Sequence, residues 1–287
     1  MAFDPFLYVA FGAGFIVGRF VRVPGPWVGR ATFATILVLV GLLGASLASV
    51  PVLELARTLP LAAVFAALIL GLTAGAYLLI SRARMATPGA GPPSGSTPRV
   101  PISIALLAAL LLGYAIGRLL EVPFAAGIPW ALYALLALVA FGLQLSWESV
   151  RRAWIPILAA VAGAVSAALL FSAVVGTALP ASLATSLAFG WYTLAGPLVA
   201  ERAGPALGLL AFLTNFLRED LTMLTAPLLG RRLRGEGLTA LGGATSMDTT
   251  LYFVTRYGDS QAGSLALASG LVLTVGASLL LPLVLAL

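Results

Sequence analysis

Long uninterrupted apolar runs are the feature of this sequence that most constrains its fold. A transmembrane helix needs about 20 consecutive apolar residues, and runs near that length recur through the first 175 residues. Inside a bilayer every backbone N–H and C=O must find a partner within the protein, so only helices and closed barrels can span it. A barrel would show segments of about ten residues that alternate between apolar and polar. The continuous runs therefore predict an all-α polytopic membrane protein, with spans near Phe6–Phe20, Ala31–Val50, Leu59–Ile80, Pro101–Leu120, Ile128–Leu145 and Ile155–Val175.

Composition excludes several classes of function. The chain is 61% hydrophobic and 9% charged, whereas a soluble domain has about 25% charged residues. It has no cysteine and no histidine, which excludes disulfides, thiol catalysis, histidine proton relays and the usual zinc or haem sites. We therefore expect no metal and no cofactor. The net charge of +6 comes from arginines in short loops, which predicts membrane topology and not nucleic-acid binding.

The first residues carry an acid, Asp4, and no base before the first apolar run. A signal peptide begins with a basic region. The first apolar run is therefore expected to be a retained helix.

Two stretches of the sequence repeat one pattern. GFIVGRFVRVP at Gly14–Pro24 and GYAIGRLLEVP at Gly113–Pro123 share Gly, Gly, Arg, Val and Pro in register, and Gly44-Ala-Ser46-Leu matches Gly142-Leu-Gln144-Leu farther on. For the glycines alone, close helix packing is the preferred interpretation. Because each copy holds three helices, the second copy is predicted to be inverted in the membrane. The predicted organisation is a first repeat at 1–81, a flexible cytoplasmic linker at 82–100, a second repeat at 101–177 and a transport core at 178–287.

Arginines in short loops predict the orientation, since cytoplasmic loops are enriched in basic residues. Those loops hold Arg19, Arg22 and Arg30, then Arg82, Arg84 and Arg99, then Arg151 and Arg152. Two later apolar segments, Leu179–Val199 and Leu238–Val254, are interrupted by Gly, Ser and Thr. If both enter and leave the membrane on one side, the loop with Arg231, Arg232 and Arg234 is also cytoplasmic. This predicts about eight spans plus two re-entrant or broken elements, with both termini outside.

The two interrupted segments are the predicted binding site. Broken helices expose unpaired backbone N–H and C=O groups near the middle of the membrane, where they can bind the carboxylate and ammonium of an amino acid. Side chains in GGATSMDTT add short polar groups and one charge, although Ser and Thr often bond only to their own helix. The candidate residues of these segments are Thr193, Gly243, Thr245, Ser246 and Asp248.

A third polar stretch, FLTNFLREDLTMLTAPL at 212–228, places Asn215, Arg218, Glu219 and Asp220 inside an apolar helix. A charged group at mid-helix costs roughly 2.5–3.5 kcal/mol on insertion scales. Either Arg218 forms a structural ion pair between helices, or it holds one carboxylate while the other faces a cavity. Since one arginine faces two acids, the surplus negative charge favours binding of a cation or a proton.

The motifs FGWYTLAG (Phe189–Gly196), FLREDL and GGATSMDTTLYFVTR (Gly242–Arg256) together resemble the bacterial and archaeal lysine exporter family LysO. The resemblance implies export of L-lysine, and of analogues such as thialysine, across the cytoplasmic membrane. It also implies an essential intramembrane acid at Glu219, paired in the family with an acid of an early helix. Here the early helices offer only Glu54, which is interpreted as a loop residue, and Ser46, so Asp220 or Asp248 is an alternative second acid.

The sequence thus predicts a lysine exporter coupled to H⁺ or Na⁺, and not an enzyme. The ε-ammonium of lysine is expected at Glu219 or Asp220, and its α-carboxylate and α-ammonium at Thr193 and Gly243–Asp248. Two alternatives stay open: a transporter of another small substrate on the same scaffold, and an intramembrane aspartyl protease using Asp220 and Asp248. No GxGD-like signature accompanies those two aspartates. The sequence gives no oligomeric state.

Overall fold

A computed structural model describes residues 5–21, 25–48, 51–82, 101–120, 124–141, 151–259 and 261–287. The predicted linker, apart from its first residue, lies outside these ranges, as do Gly142 and Gln144 of the predicted repeat. The described residues form helices and turns and contain no strand. In chain order the helices are α1 (Pro5–Phe20), α2 (Gly25–Leu47), α3 (Val52–Arg82), α4 (Pro101–Leu120), α5 (Ile128–Phe141), α6 (Trp154–Val175), α7 (Leu179–Ser186), α8 (Tyr192–Ala203), α9 (Pro205–Gly242), α10 (Leu251–Tyr257) and α11 (Ala262–Val284). Short 3-10 turns occupy Phe124–Gly127 and Gly243–Met247.

Three of the described helices are long and apolar enough to cross a membrane, namely Val52–Ser81, Trp154–Val175 and Ala262–Val284. Shorter apolar stretches cover Trp27–Leu42 and Leu111–Leu120. The chain is an all-α membrane protein. Glu54, which the sequence suggested was a loop residue, lies in the first turn of α3 and is exposed; that interpretation was wrong because the helix begins before the long apolar run.

The chain divides into two compact units. The first unit contains Met1–Leu55 and Thr97–Gln144, and the second contains Ala56–Ser96 and Leu145–Leu287. The first two helices of each predicted copy therefore share one unit, while the third helices, α3 and α6, belong to the other. The units cut across the predicted copies instead of following them.

Close glycine contacts pack the helices of the first unit. A Cβ on Gly14 or Gly18 of α1 would strike the backbone of Ala137 or Phe141 in α5. In the same way, a Cβ on Gly113 or Gly117 of α4 would strike the backbone of Gly41 or Ala45 in α2. Residue numbers rise together along both contacts, so each pair of helices runs parallel. Small residues at these positions allow the close backbone approach that membrane helices use for packing.

In the second unit, α3 packs against α6. The rings of Phe65 and Phe171 stack with centroids 4.0 Å apart, and Gly163 of α6 lies against Thr73. The Phe65 side chain is fully buried. These contacts fix α3 and α6 as neighbours within the second unit.

Two helical hairpins occupy the predicted interrupted segments. The first hairpin, residues 179–203, is α7, a turn and α8. The second hairpin, residues 235–257, begins where Arg234 breaks α9 with φ 53° and ψ −167° and continues through the 3-10 turn into α10. Between them, residues 205–233 form one helix, which we call the polar helix because it carries Arg218, Glu219 and Asp220. At about 1.5 Å per residue it is roughly 43 Å long, and Glu219 lies at its midpoint.

Candidate functional site at the two hairpin tips

The tips of the two hairpins contact each other inside the second unit. The Ala244 backbone N–H donates a hydrogen bond to the Phe189 carbonyl at 3.0 Å. Left-handed backbone conformations form both tips, at Phe189 (φ 54°), Gly190 (φ 99°) and Gly243 (φ 65°). Glycine suits two of these positions because it adopts positive φ without steric cost. A Cβ on Gly190 would also lie 3.0 Å from the Thr245 methyl group, so the tips are in van der Waals contact.

Asn215 ties the polar helix to the first hairpin. Its Oδ1 accepts a hydrogen bond from the Gly190 N–H at 2.9 Å. Its Nδ2 donates to the carbonyls of Thr185 at 2.8 Å and of Ala211 at 3.0 Å. Asn215 was predicted to bind substrate, but both of its amide protons are used by the backbone. Its side chain satisfies groups that the break between α7 and α8 leaves without helical partners.

Arg218 is fully buried and points towards the second hairpin. Its Nη2 donates to the Leu241 carbonyl at 3.3 Å, and its Cζ lies 5.9 Å from the centroid of the Phe189 ring. Leu241 is next to the end of α9, where carbonyls lose their helical partners and the helix dipole is negative. Nε and Nη1 of Arg218 have no hydrogen-bond partner.

The predicted ion pair between Arg218 and a neighbouring carboxylate is absent. The ion pairs within 4.0 Å among the described residues join Arg152 to Glu236 and Arg202 to Glu201. Successive side chains on a helix diverge by about 100°. Arg218 therefore faces the Leu241 carbonyl, while Glu219 faces a different part of the second hairpin, near Asp248. The prediction that Arg218 pairs with a carboxylate was wrong.

Three carboxyl groups near the tips, which we call the acidic cluster, interact electrostatically. Glu219 and Asp220 are 3% and 9% exposed, and Asp248, in the second hairpin, is partly buried. Asp248 Oδ1 accepts hydrogen bonds from the Thr249 N–H at 2.6 Å and the Thr249 hydroxyl at 3.2 Å. The charge of Glu219 interacts with those of Asp248 and Asp220. Glu219 Oε1 and Asp220 Oδ2 have no hydrogen-bond partner, so the cluster carries acceptor capacity that the described protein groups do not use.

Tyr192 borders this acidic cluster. It interacts electrostatically with Glu219, Asp248 and Asp220, and its ring packs edge-on against Phe212 at 5.4 Å and Phe216 at 5.9 Å. Sequence reasoning missed Tyr192 as a member of the site. Its position could have indicated it, since Tyr192 begins α8 directly after a helix break.

Most of the remaining predicted residues form hydrogen bonds or close contacts within the turn at Gly243–Met247. The Thr245 hydroxyl donates to the Gly242 carbonyl at 2.9 Å, and the Ser246 hydroxyl lies 2.7 Å from the Gly243 carbonyl and 3.0 Å from that of Ala266. Gly243 lies against the Phe189 carbonyl and the Arg218 guanidinium. Thr193 is partly exposed. Among the residues the structure describes, no three His, Cys, Asp or Glu side chains are arranged to hold a metal ion.

Comparison with known proteins gives consistent results. The family model described as lysine exporter LysO matches residues 107–285, a range that includes both hairpins and the polar helix. The lysine exporter LysO of Escherichia coli strain K12 is 36% identical over 138 residues, which cover 47% of this chain and 44% of that protein. A putative lysine exporter of Haemophilus influenzae is 32% identical over 99 residues, covering 34% of this chain and 50% of that protein. The chain thus spans about half the length of these curated relatives, and no solved structure matches it.

Proposed function

Because this chain belongs to the lysine exporter LysO family, we propose that it exports L-lysine across the cytoplasmic membrane. The observation that carries this proposal is the acidic cluster of Glu219, Asp220 and Asp248. Buried carboxylates without a basic partner are costly in a membrane protein and typically mark the path of a cation or a proton. A substrate with a cationic side chain supplies the missing partner.

The ε-ammonium of lysine is assigned to the cluster at Glu219 and Asp248, where Oε1 of Glu219 has no partner. A desolvated ammonium needs both a countercharge and hydrogen-bond acceptors. The Tyr192 ring, with Phe212 and Phe216, would pack along the aliphatic part of the side chain. Asp248 takes the place of the second acid that the family carries in an early helix, since Glu54 is exposed.

The proposed topology has eight spans and two re-entrant hairpins, with an inverted repeat, a cytoplasmic linker and both termini outside. Reciprocal packing in the first unit supports it. Gly14 and Gly18 of the first copy contact α5 of the second, and Gly113 and Gly117 of the second copy contact α2 of the first. Such exchanged contacts are typical of a twofold relation. Helices α2 and α4 run parallel, as do α1 and α5. This agrees with the topology, because every second helix points in the same direction when each helix crosses the membrane once.

Export is proposed to be driven by H⁺ or Na⁺. Protonation of a carboxylate removes the charge that binds the ammonium, so proton binding and lysine binding at the cluster exclude each other. A thialysine-like analogue keeps the terminal ammonium and should be transported as well. A transporter of another substrate is the main alternative, whereas the family assignment favours transport over an intramembrane protease.

Transport by purified protein in proteoliposomes tests the proposal. Labelled lysine should be transported, and labelled glutamate should not. Norleucine, which keeps the α-carboxylate and α-ammonium but lacks the ε-ammonium, should bind far more weakly than lysine in calorimetry. Lysine affinity should also fall as the pH is lowered, because protonated carboxyls no longer attract an ammonium. Equal transport of glutamate, or norleucine binding as tight as lysine, would contradict the proposed substrate.

A further inference from the structure

Most buried hydrogen-bond donors at the hairpin tips are already used. The Thr245 and Ser246 hydroxyls donate to backbone carbonyls of their own turn, and both Nδ2 protons of Asn215 are bonded to carbonyls. A hydroxyl has one proton to donate. Thr245 and Ser246, which the sequence suggested for a carboxylate, therefore lack the protons to bind one.

Arg218, in contrast, has N–H donors that are not used. Its side chain is fully buried, its Nε and Nη1 have no hydrogen-bond partner, and no carboxylate lies within 4.0 Å among the described residues. A guanidinium carries five N–H groups. Even with one proton of Nη2 bonded to Leu241, Arg218 keeps a pair of adjacent N–H groups for a planar acceptor.

The tip of the second hairpin packs closely against this guanidinium. A Cβ on Gly243 would lie 2.8 Å from Arg218 Nη2 and 3.0 Å from the Phe189 Cβ. Gly243 also has φ 65°, which disfavours any residue with a Cβ. Only a residue without a Cβ lets the backbone approach the cation this closely.

We infer that Arg218 is an anion-binding residue that holds the α-carboxylate of the substrate at the second hairpin tip. The inference rests on the proposed function and adds to it. A guanidinium matches a carboxylate in geometry and forms paired charge-assisted hydrogen bonds, and a buried cation requires such a partner. Because Arg218 and Glu219 are consecutive on the polar helix, they present opposite charges in directions about 100° apart. An amino acid with a cationic side chain carries the complementary charges at its two ends.

Calorimetric binding of two ligands to purified full-length protein tests this inference. L-lysine and L-lysinamide share both amino groups, but lysinamide lacks the carboxylate. Wild-type protein should bind lysine at least roughly 30-fold more tightly than lysinamide. This is the difference expected when a charge-assisted contact is lost. Arg218→Gln should reduce that preference to about threefold or less, by weakening lysine binding and leaving lysinamide binding nearly unchanged.

Two variants serve as controls. Arg202→Gln removes an exposed arginine whose partner is the exposed Glu201 and should preserve the preference for lysine. Arg218→Lys keeps the charge but loses the planar pair of donors, and it should give an intermediate preference. A structural role for Arg218 would weaken both ligands by the same factor, which would overturn the inference. If Arg218→Gln does not fold, the wild-type comparison and Arg218→Lys still decide.

A free inorganic anion such as chloride could bind Arg218 in the same way as a carboxylate. Changing the buffer salt distinguishes the two ligands. When methanesulfonate replaces chloride, lysine affinity should stay constant or rise, because chloride could only compete for Arg218. A fall in lysine affinity without chloride, together with equal binding of lysine and lysinamide, would assign the site to chloride and overturn the inference. Lysine binding with no preference over lysinamide contradicts only this inference. Absence of lysine binding and transport by wild-type protein contradicts the proposed function as well.

Discussion

The two compact units use their side chains in opposite ways. In the first unit, Thr32 is the only polar side chain buried among the residues whose burial the structure describes, and glycines bring the helices together. The second unit contains the other buried polar and charged side chains of the described residues, including Arg218, Glu219 and Asp220. The first unit is therefore stabilised by close backbone packing, and the second holds the buried charges.

Within the second unit, the buried polar groups also divide into two kinds. Asn215, Thr245 and Ser246 donate to backbone carbonyls at or beside the broken helices. Arg218, Glu219 and Asp220 keep atoms without a partner. The first kind makes non-helical backbone tolerable inside a membrane, and the second kind has capacity left for a ligand.

Replacement of Glu219 should have the largest effect on transport. Glu219→Gln keeps the shape of the side chain but removes the charge that binds the ammonium, so lysine transport should fall about 100-fold or more. The melting temperature should change little, because the unpaired buried charge contributes no stabilisation of its own. Glu201→Gln, at an exposed glutamate, should transport normally. Transport by Glu219→Gln at the wild-type rate would place the substrate elsewhere.

Replacement of a packed glycine should destabilise the first unit. Gly113→Ala puts a methyl group against the backbone of Gly41, and overpacking of this kind costs about 1–3 kcal/mol. Gly12→Ala is the matched control in the same unit, since nothing lies within 4 Å of a Cβ there. Thermal unfolding of the detergent-solubilised variants should show a lower melting temperature for Gly113→Ala alone. Equal melting temperatures would mean that the close contact is not limiting for stability.

Replacement of Asn215 should destabilise the turn of the first hairpin locally. Asn215→Ala leaves the Gly190 N–H and the Thr185 carbonyl without their partner, and each such loss costs about 1–3 kcal/mol when the group stays buried. Thr225→Ala is the control, because the Thr225 hydroxyl bonds only within its own helix. Hydrogen exchange should increase at residues 187–191 in Asn215→Ala and stay unchanged in Thr225→Ala. Faster exchange at that turn in both variants would show that the hydrogen bonds of Asn215 do not specifically stabilise it.

Shortening the predicted linker should have the smallest effect. Its Pro, Gly and Ser content cannot form a core, so removal of a few residues within 86–96 should leave lysine export unchanged. Export can be compared with wild type in cells after membrane insertion has been checked by immunoblotting. Loss of export by a normally inserted variant would show that the linker does more than connect.

The sequence predicted the large features of the second unit well. The interrupted segments Leu179–Val199 and Leu238–Val254 overlap the two hairpins, and the run carrying Glu219 forms the helix between them. Long apolar runs predict helices, and glycines and charges within them predict breaks and polar sites. These are local patterns, so they can be recognised in a single sequence. Pairing of the hairpin tips is different, because the bond from Ala244 to Phe189 depends on contacts between distant parts of the chain.

The roles of individual polar residues were harder to predict for the same reason. Ser246 was expected to bind substrate, but its hydroxyl faces the carbonyls of Gly243 and Ala266. Arg218 was expected to pair with an acid, but its guanidinium donates to the Leu241 carbonyl, which lies next to the break in the second hairpin. Spacing alone gives the direction of a side chain on its helix, and only the fold gives what lies in that direction.

The bond between the hairpin tips also sets an order of events during synthesis. Phe189 leaves the ribosome about 55 residues before Ala244, which is roughly 3–11 seconds at about 5–20 residues per second. Asn215, the partner of Gly190, follows the first tip by about 25 residues and therefore arrives sooner. Until both partners have been made, the Gly190 N–H and the Phe189 carbonyl lack the bonds that they form in the folded protein.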